Sequence, residues 1–392
     1  MDYSSIDKTF STSKDLFRSV SSFIHANPEL AFEEHRSHEY LVKELEREGF
    51  EVTGSYLNCD TAFLATYGKD KGGPTVCIIC EYDALPGVGH ACGHNLIAEA
   101  GFAAGVAVKR FLEDNPSVKG KVVVMGTPAE ERGAGKQVLI ERGAFTDIDV
   151  AMMVHPAASA NEIAPLFIGC VELIVEYQGK AAHAAGYPWE GKNALDAAVT
   201  CYNGLAMLRQ HVRPACKVHA VIKNGGAAAN VVPEYASLSI YYRAPTIPEL
   251  EELGKRVEDC ARAGALLSNT EVKLSTPNPK YLPLRTNATL GEHYRKHCEA
   301  EGMKFDEDEK LGKFLATSDI GNVSWQVPTI QPIYHIDAKG PNHSIEFTNG
   351  AGDDAAQPNT LIAAKAMAKT CVDVLLDPKA LQKAREDFKK TQ

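Results

Sequence analysis

Residues 74–95 read PTVCIICEYDALPGVGHACGHN, and the fold turns on how this stretch is divided. Val76–Cys80 is an unbroken apolar run of strand length, the pattern of a strand buried on both faces. Residues 81–94 form a loop punctuated by Gly and Pro. From Asn95 to about Glu113 the residues are mostly small and apolar and read as a long helix. Cys77 and Cys80 make a C-x-x-C, but residues three apart on a strand point to opposite faces, so they read as core packing rather than a shared metal site.

The same grammar recurs downstream. Lys121–Gly126 (KVVVMG) is a buried strand followed by the polar TPAEERGAGK, then a helix over Gln137–Arg142 closed by Gly143. Val150–Val154 (VAMMV) is a third buried strand and runs into His155. Apolar strands alternating with helices predict an α/β domain whose parallel sheet has helices on both faces. Upstream lie a helical segment interrupted at Pro28 and a strand near Thr61–Tyr67, expected to pair with the strand at Pro74–Cys80.

From about Phe167 the texture changes. FIGCVELIVEYQG alternates like a half-exposed strand. A helix over Asn193–His211, two strands in CKVHAVIKNGG and YASLSIYYRA, a helix over Pro248–Leu266 and a short strand TEVKLS follow. The order β-α-β-β-α-β is that of a ferredoxin-like α+β sandwich. After Pro279 the first texture returns. The expected division is therefore 1–166 and 281–392 for a catalytic domain, with 167–280 inserted.

In open α/β sheets ligands bind beyond the carboxyl ends of the strands. One sheet edge would then gather Asp83, His90, Cys92, His94, Glu130, Glu131 and His155. Thiolate, imidazole and carboxylate together are a transition-metal donor set. Two adjacent carboxylates leave one free to act as general base on an activated water. Other histidines read as ordinary. His293 and His297 have zincin spacing, but Tyr294 stands where the glutamate is required, so an exposed helix face is expected. His335 stays ambiguous.

Composition narrows the function classes. With 392 residues the chain is long enough for two domains, and 44% hydrophobic with 23% charged residues is ordinary for a globular protein. A net charge of −10 without a basic stretch argues against nucleic acid and anionic membranes as partners. No apolar run reaches the roughly 20 residues of a spanning helix, no secretory signal opens the chain, and ten irregularly spaced Cys suit reduced thiols. The expected location is the cytosol.

EYDALPGVGHACGHN, GTPAEE, a strand ending in HP, and GKAAHAAGYPWEGKNALDA resemble metallopeptidase family M20, as do NPELAFEE and NGGAAANVVP. The likeness runs from about residue 20 to 375. HACGHN, with Asn95 where many members carry Asp, and SDIGNVSW look most like the branch of aminobenzoyl-glutamate hydrolases and basic-dipeptide hydrolases. The resemblance implies a zinc-peptidase-like catalytic domain and an inserted lid that also pairs two copies into a homodimer. It implies metal ligation by Cys92, His94, Glu131, His155 and His343, with Cys92 able to bridge two ions. Nothing but the resemblance selects His343 over His335. It implies Glu130 as general base, Asp83 as the acid that orients a ligand, and His183 as a polariser of the scissile carbonyl in the partner's site. Asn230 and Arg243 match contacts to a substrate carboxylate, and a guanidinium suits that role chemically.

The expected activity is hydrolysis of an amide bond to an amino acid with a free carboxylate, either a dipeptide or an N-acyl amino acid. One or two Zn²⁺ suit the donors, and Mn²⁺ or Co²⁺ also occupy such sites. Asn95 in place of Asp is expected to weaken one metal position. Two alternatives stay open: a metal-binding regulatory homologue without activity, and an amidohydrolase working in the amide-forming direction.

Overall fold

The computed structural model describes residues 1–69, 72–305 and 316–390. The chain divides into two compact units: Met1–Pro165, Arg285–Phe314 and Asn322–Gln392 form one, and Leu166–Leu284 with Leu315–Gly321 the other. In chain order, the first unit carries β1 (Glu51–Gly54), β2 (Phe63–Lys69), β3 (Thr75–Glu81), β4 (Gly120–Thr127), β5 (Val150–Met152) and β6 (His155–Ala157). The second carries β7 (Gly169–Gln178), β8 (Lys217–Asn224), β9 (Tyr235–Ala244) and β10 (Glu271–Ser275). The chain then returns to the first unit with β11 (Thr329–Ile330) and β12 (Ile333–His335).

The main sheet of the first unit has the order β1-β2-β4-β3-β5-β11. Four of its strands are parallel: β4, β3, β5 and β11. The sheet is nevertheless mixed, because β2 runs antiparallel to both β1 and β4. A short link joins β1 to β2, and short links favour antiparallel neighbours, whereas parallel pairs need a long crossover. The segments read as strands before and after residue 70 are not partners. Both bond to β4, which lies between them.

Every residue of β3 is buried. Helix His94–Asp114 lies against β3 and β4 at very close range. A Cβ on Gly101 would meet Cys80 Sγ at 2.5 Å, and one on Gly105 would meet Val124 Cγ2 at 2.2 Å. The small residues at i and i+4 are what let the helix seat there. Cys80 faces this helix, its thiol within 3.7 Å of the Ala98 carbonyl oxygen.

His293 and His297 do not line an exposed face. His297 is buried, and both rings hydrogen-bond Asp373 Oδ2, at 2.7 and 2.8 Å. Tyr3 donates to the other oxygen of Asp373. The i, i+4 pair therefore ties the N-terminus and helix Ala288–Ala300 to helix Gln357–Leu376. The expectation failed because Asp373 is distant in sequence.

In the second unit the sheet order is β10-β7-β9-β8, antiparallel throughout. Helices Ala194–Leu208 and Ile247–Ser268 pack on it and on each other, giving the β-α-β-β-α-β sandwich. Val171, Leu173, Val175 and Tyr177 alternate into its core. The side chains of Asn193 and Thr246 cap the two helices, Asn193 accepting the backbone N–H groups of Leu195 and Asp196 and Thr246 that of Glu249. Among the described residues no helix is long and apolar enough to cross a membrane.

Candidate metal centre and active site

The carboxyl ends of β3 and β4 and the β5–β6 junction meet at one place in the first unit. From β3 the chain continues through buried Tyr82 and Asp83, closes a small loop with reciprocal backbone hydrogen bonds between Leu85 and Gly89, and enters the long helix at His94. Gly93 makes that entry, at φ +78°. A Cβ there would also meet Pro156 Cγ at 2.5 Å, so glycine brings the Cys92–His94 turn onto the strand that begins at His155.

Asp83 organises the centre. Its Oδ1 accepts the Nδ1–H of His94 at 3.0 Å, and its Oδ2 accepts the backbone N–H of Glu131 at 2.9 Å. His94 is thereby left with Nε2 facing inward, 3.4 Å from Glu81 Oε1, 3.9 Å from Glu130 Oε2 and 4.0 Å from Glu131 Oε1. The Nδ1–H of His155 is given to its neighbour's carbonyl, Pro156 O, at 2.8 Å, and its Nε2 lies 3.4 Å from Cys92 Sγ. His343 arrives from elsewhere in the chain. Its backbone N–H donates to Ala91 O at 2.8 Å, its φ is +72°, and its Nε2 lies 3.4 Å from Glu131 Oε1. Left-handed backbone at a non-glycine residue is strained, and such strain gathers at functional sites.

Three groups of donor atoms result, each with its atoms within 4.8 Å of one another: Cys92, His94 and His155; Cys92, Glu131 and His343; His94, Glu130 and Glu131. Cys92 belongs to the first two. His90 is in none of them; its ring lies against His25, with centroids 6.3 Å apart. His335 is also elsewhere, with Nδ1 on Ser159 O. Asn95 belongs to none either: its amide donates to Ser21 Oγ and Ala351 O.

The residues fit a divalent transition metal. Glu81 Oε1, His94 Nε2 and Glu131 Oε1 are buried with no hydrogen-bond partner, and all three point into the same space. Buried polar atoms are rarely left unsatisfied, and thiolate, imidazole and carboxylate are metal donors. Electrostatics agree. Burial pushes the His155 imidazole down to about 4, keeping it neutral. Burial pushes the Cys92 thiol up. Burial opposes charge on His94, but Glu81 and Asp83 outweigh it and raise its pKa. Around His94 the carboxylates favour positive charge.

Two supports were not foreseen from sequence. Buried Glu34 accepts the N–H of Ala129 (φ +60°) at 2.9 Å and the hydroxyl of Thr61 at 2.8 Å, fixing the turn from which Glu130 and Glu131 project. Burial and the nearby Asp83 push its carboxyl up to about 7. Lys136 and Glu81, both fully buried, pair at 2.6 Å. A lone charge beside an apolar strand reads as loop in sequence, and only the packed structure shows it inside.

The remaining candidates lie in the second unit. His183 is exposed, with Nδ1 accepting the backbone N–H of Gly186 at 3.0 Å and of Ala185 at 3.3 Å. Asn230 adjoins it, its backbone carbonyl oxygen accepting the N–H of Ala184 at 3.0 Å. Arg243, on β9, donates from Nη1 to Thr317 Oγ1 at 2.7 Å, while its buried Nε has no partner.

The model of peptidase family M20/M25/M40 matches residues 77–364. The chain is 44% identical over 384 residues to the Xaa-Arg dipeptidase of Homo sapiens, covering 94% of this chain and 88% of that protein. It is 30% identical over 456 residues to one of the subunits of the p-aminobenzoyl-glutamate hydrolase of Escherichia coli K12, covering 98% of this chain and 94% of that protein. A dinuclear metal-binding peptidase of Bacillus subtilis has a similar fold, with a TM-score of 0.71 at 17% identity over 93% of this chain and 99% of that one. So does the aminobenzoyl-glutamate utilization protein of Klebsiella pneumoniae, with a TM-score of 0.71 at 16% identity over 94% and 98%.

Proposed function

Because this chain belongs to peptidase family M20/M25/M40, and is therefore a metal-dependent hydrolase of amide bonds, we propose that it cleaves dipeptides whose C-terminal residue is basic. The observation that carries the assignment is the sharing of Cys92 between two donor groups, with Glu130 standing beside them in a third. The substrate class rests on the likeness to the human Xaa-Arg dipeptidase.

In this reading Cys92, His94, Glu131, His155 and His343 hold the metal, zinc being the ion their chemistry suits best. A bound divalent ion supplies Lewis acidity toward the scissile carbonyl and the attacking water. Glu130 is the general base. Its Oε2 lies 3.9 Å from His94 Nε2, close enough to the donor atoms to take a proton from water held there and then return it to the leaving amine. His183 stabilises the carbonyl oxygen as it gains charge. With Nδ1 occupied by two backbone N–H groups, its proton sits on Nε2, the nitrogen left free to donate. It does so in the site of a second copy of the chain, paired through the second unit. Asn230 and Arg243 hold the substrate's terminal carboxylate.

The test is turnover by the metal-loaded protein on a panel of Xaa-Arg and Xaa-Lys dipeptides, β-alanyl dipeptides, N-acyl amino acids and aminobenzoyl-glutamate. Highest kcat/KM on the basic dipeptides is expected. A preference for N-acyl or aryl-acyl substrates overturns the substrate class, and metal-replete protein inactive on the whole panel overturns the enzymatic reading.

A further inference from the structure

We propose that Glu81 is an additional donor of the metal centre, its carboxylate fixed by Lys136. The proposal rests on the metal-centre reading above and extends it to a residue outside the five assigned ligands.

Glu81 is the last residue of β3, in register with Thr127 of the parallel neighbour β4. Backbone pairing holds it at the strand end where the other donors gather. Its side chain and that of Lys136 are both at zero exposure. Burying an ion pair carries a large desolvation cost, and an apolar pair of similar size often serves stability as well or better. A purely structural role is therefore a poor reason for these two residues at this depth.

The two carboxylate oxygens of Glu81 are used differently. Oε2 accepts from Lys136 Nζ at 2.6 Å. Oε1 has no hydrogen-bond partner and stands 3.4 Å from His94 Nε2, which has none either. Because Asp83 engages the opposite ring nitrogen, Nε2 is the nitrogen His94 presents to the centre. The two atoms stand at ion-pair distance without hydrogen-bond geometry, and a cation between them would engage both. The spacing suits that cation. A tetrahedral zinc with bonds of about 2.1 Å keeps its donor atoms roughly 3.4 Å apart. Glu131 Oε1 to His343 Nε2 is 3.4 Å as well. Lys136, by gripping Oε2, leaves the carboxylate one free oxygen and one direction.

The test titrates the intact, chelator-stripped chain with Zn²⁺ against a chromophoric competitor, and records the Co²⁺ absorption spectrum. Variants are Glu81→Gln, Glu81→Asp and the neutral pair Glu81→Gln/Lys136→Gln. Thermal melting of the metal-free proteins reports fold. The expected result is a loss of at least ~10-fold in affinity for one metal equivalent, of the size seen when groups around a metal are removed, with an altered Co²⁺ spectrum in each folded variant. Unchanged affinity, stoichiometry and spectrum overturn the proposal, even if melting temperatures fall, since that pattern is a structural ion pair. If Glu81→Gln does not fold, Glu81→Asp and the neutral pair decide. A wild-type chain that binds no metal overturns the metal-centre reading itself, a result distinct from variants that bind as wild type does.

Discussion

The Nδ1–H of His94 donates to Asp83 Oδ1 at 3.0 Å, with both side chains at zero exposure. The second oxygen of Asp83 takes the backbone N–H of Glu131, so one carboxylate aligns donors from two different strand ends. Burial alone would raise the Asp83 pKa; His94 and the Glu131 N–H more than offset this and hold it below the usual range, so it stays ionised. Outer partners of this kind fix the tautomer and aim of a metal-binding histidine. Asp83→Ala should weaken metal binding about 10- to 100-fold. Competition titration of the stripped protein checks this, and an affinity equal to wild type would remove Asp83 from the role.

Glu130 differs from Glu131 in what its loss should do. If it moves protons rather than holding metal, Glu130→Ala should retain full metal content and lose about 10²- to 10⁴-fold in kcat. Elemental analysis beside steady-state kinetics separates the two roles. Near-wild-type turnover with correct metal content would rule out the base assignment, and lost metal would make Glu130 a ligand.

The strand-end residues were legible because Val76–Cys80, Lys121–Gly126 and Val150–Val154 are apolar runs that stop at polar chemistry, and sheets of this class put chemistry at those ends. His343 carried no such signal. It follows no buried run, and it reaches the centre through a left-handed turn and one backbone hydrogen bond to Ala91. The strand β1 was not read from the sequence, and the antiparallel pairing of β2 was not legible either, since apolar periodicity identifies strands but not which neighbour each one bonds. Glu34, Glu81 and Lys136 are charges whose burial depends on partners far away in sequence: Ala129 for Glu34, and each other for the last two.

His183 offers a test of both its chemistry and its address. The backbone N–H groups of Ala185 and Gly186 occupy Nδ1 and leave Nε2 to donate. His183→Ala should lower kcat about 10²- to 10³-fold, the usual loss for one oxyanion donor, with metal content unchanged. If His183 serves the partner's site, mixing His183→Ala with Glu130→Ala under conditions where the paired chains exchange should restore activity, because each mixed pair has one site with both groups. No recovery from a demonstrably mixed pair would place His183 in its own chain's site or outside catalysis.

Glu99 gives a prediction about stability that is independent of the donor groups. It is fully buried in helix His94–Asp114; Oε2 accepts from Gln357 Nε2 at 2.9 Å, and Oε1 has no hydrogen-bond partner. Burial pushes its pKa up to about 7, against the lowering effect of Gln357, Ser21 and Arg18. An unfolded glutamate titrates near 4.3. Between those values the folded chain binds more protons at this position than the unfolded one, so stability falls as pH rises from about 4.3 to about 7 and then levels off. The accumulated deficit above pH 7 is on the order of 4 kcal/mol. Glu99→Gln keeps the shape and cannot ionise. Its unfolding free energy should match wild type near pH 4.5 and exceed it increasingly toward pH 8, measured by denaturant titration of both proteins across that range. A difference that does not change with pH would mean that Glu99 keeps an ordinary titration inside the fold, and that the Gln357 and Ser21 contacts offset its burial.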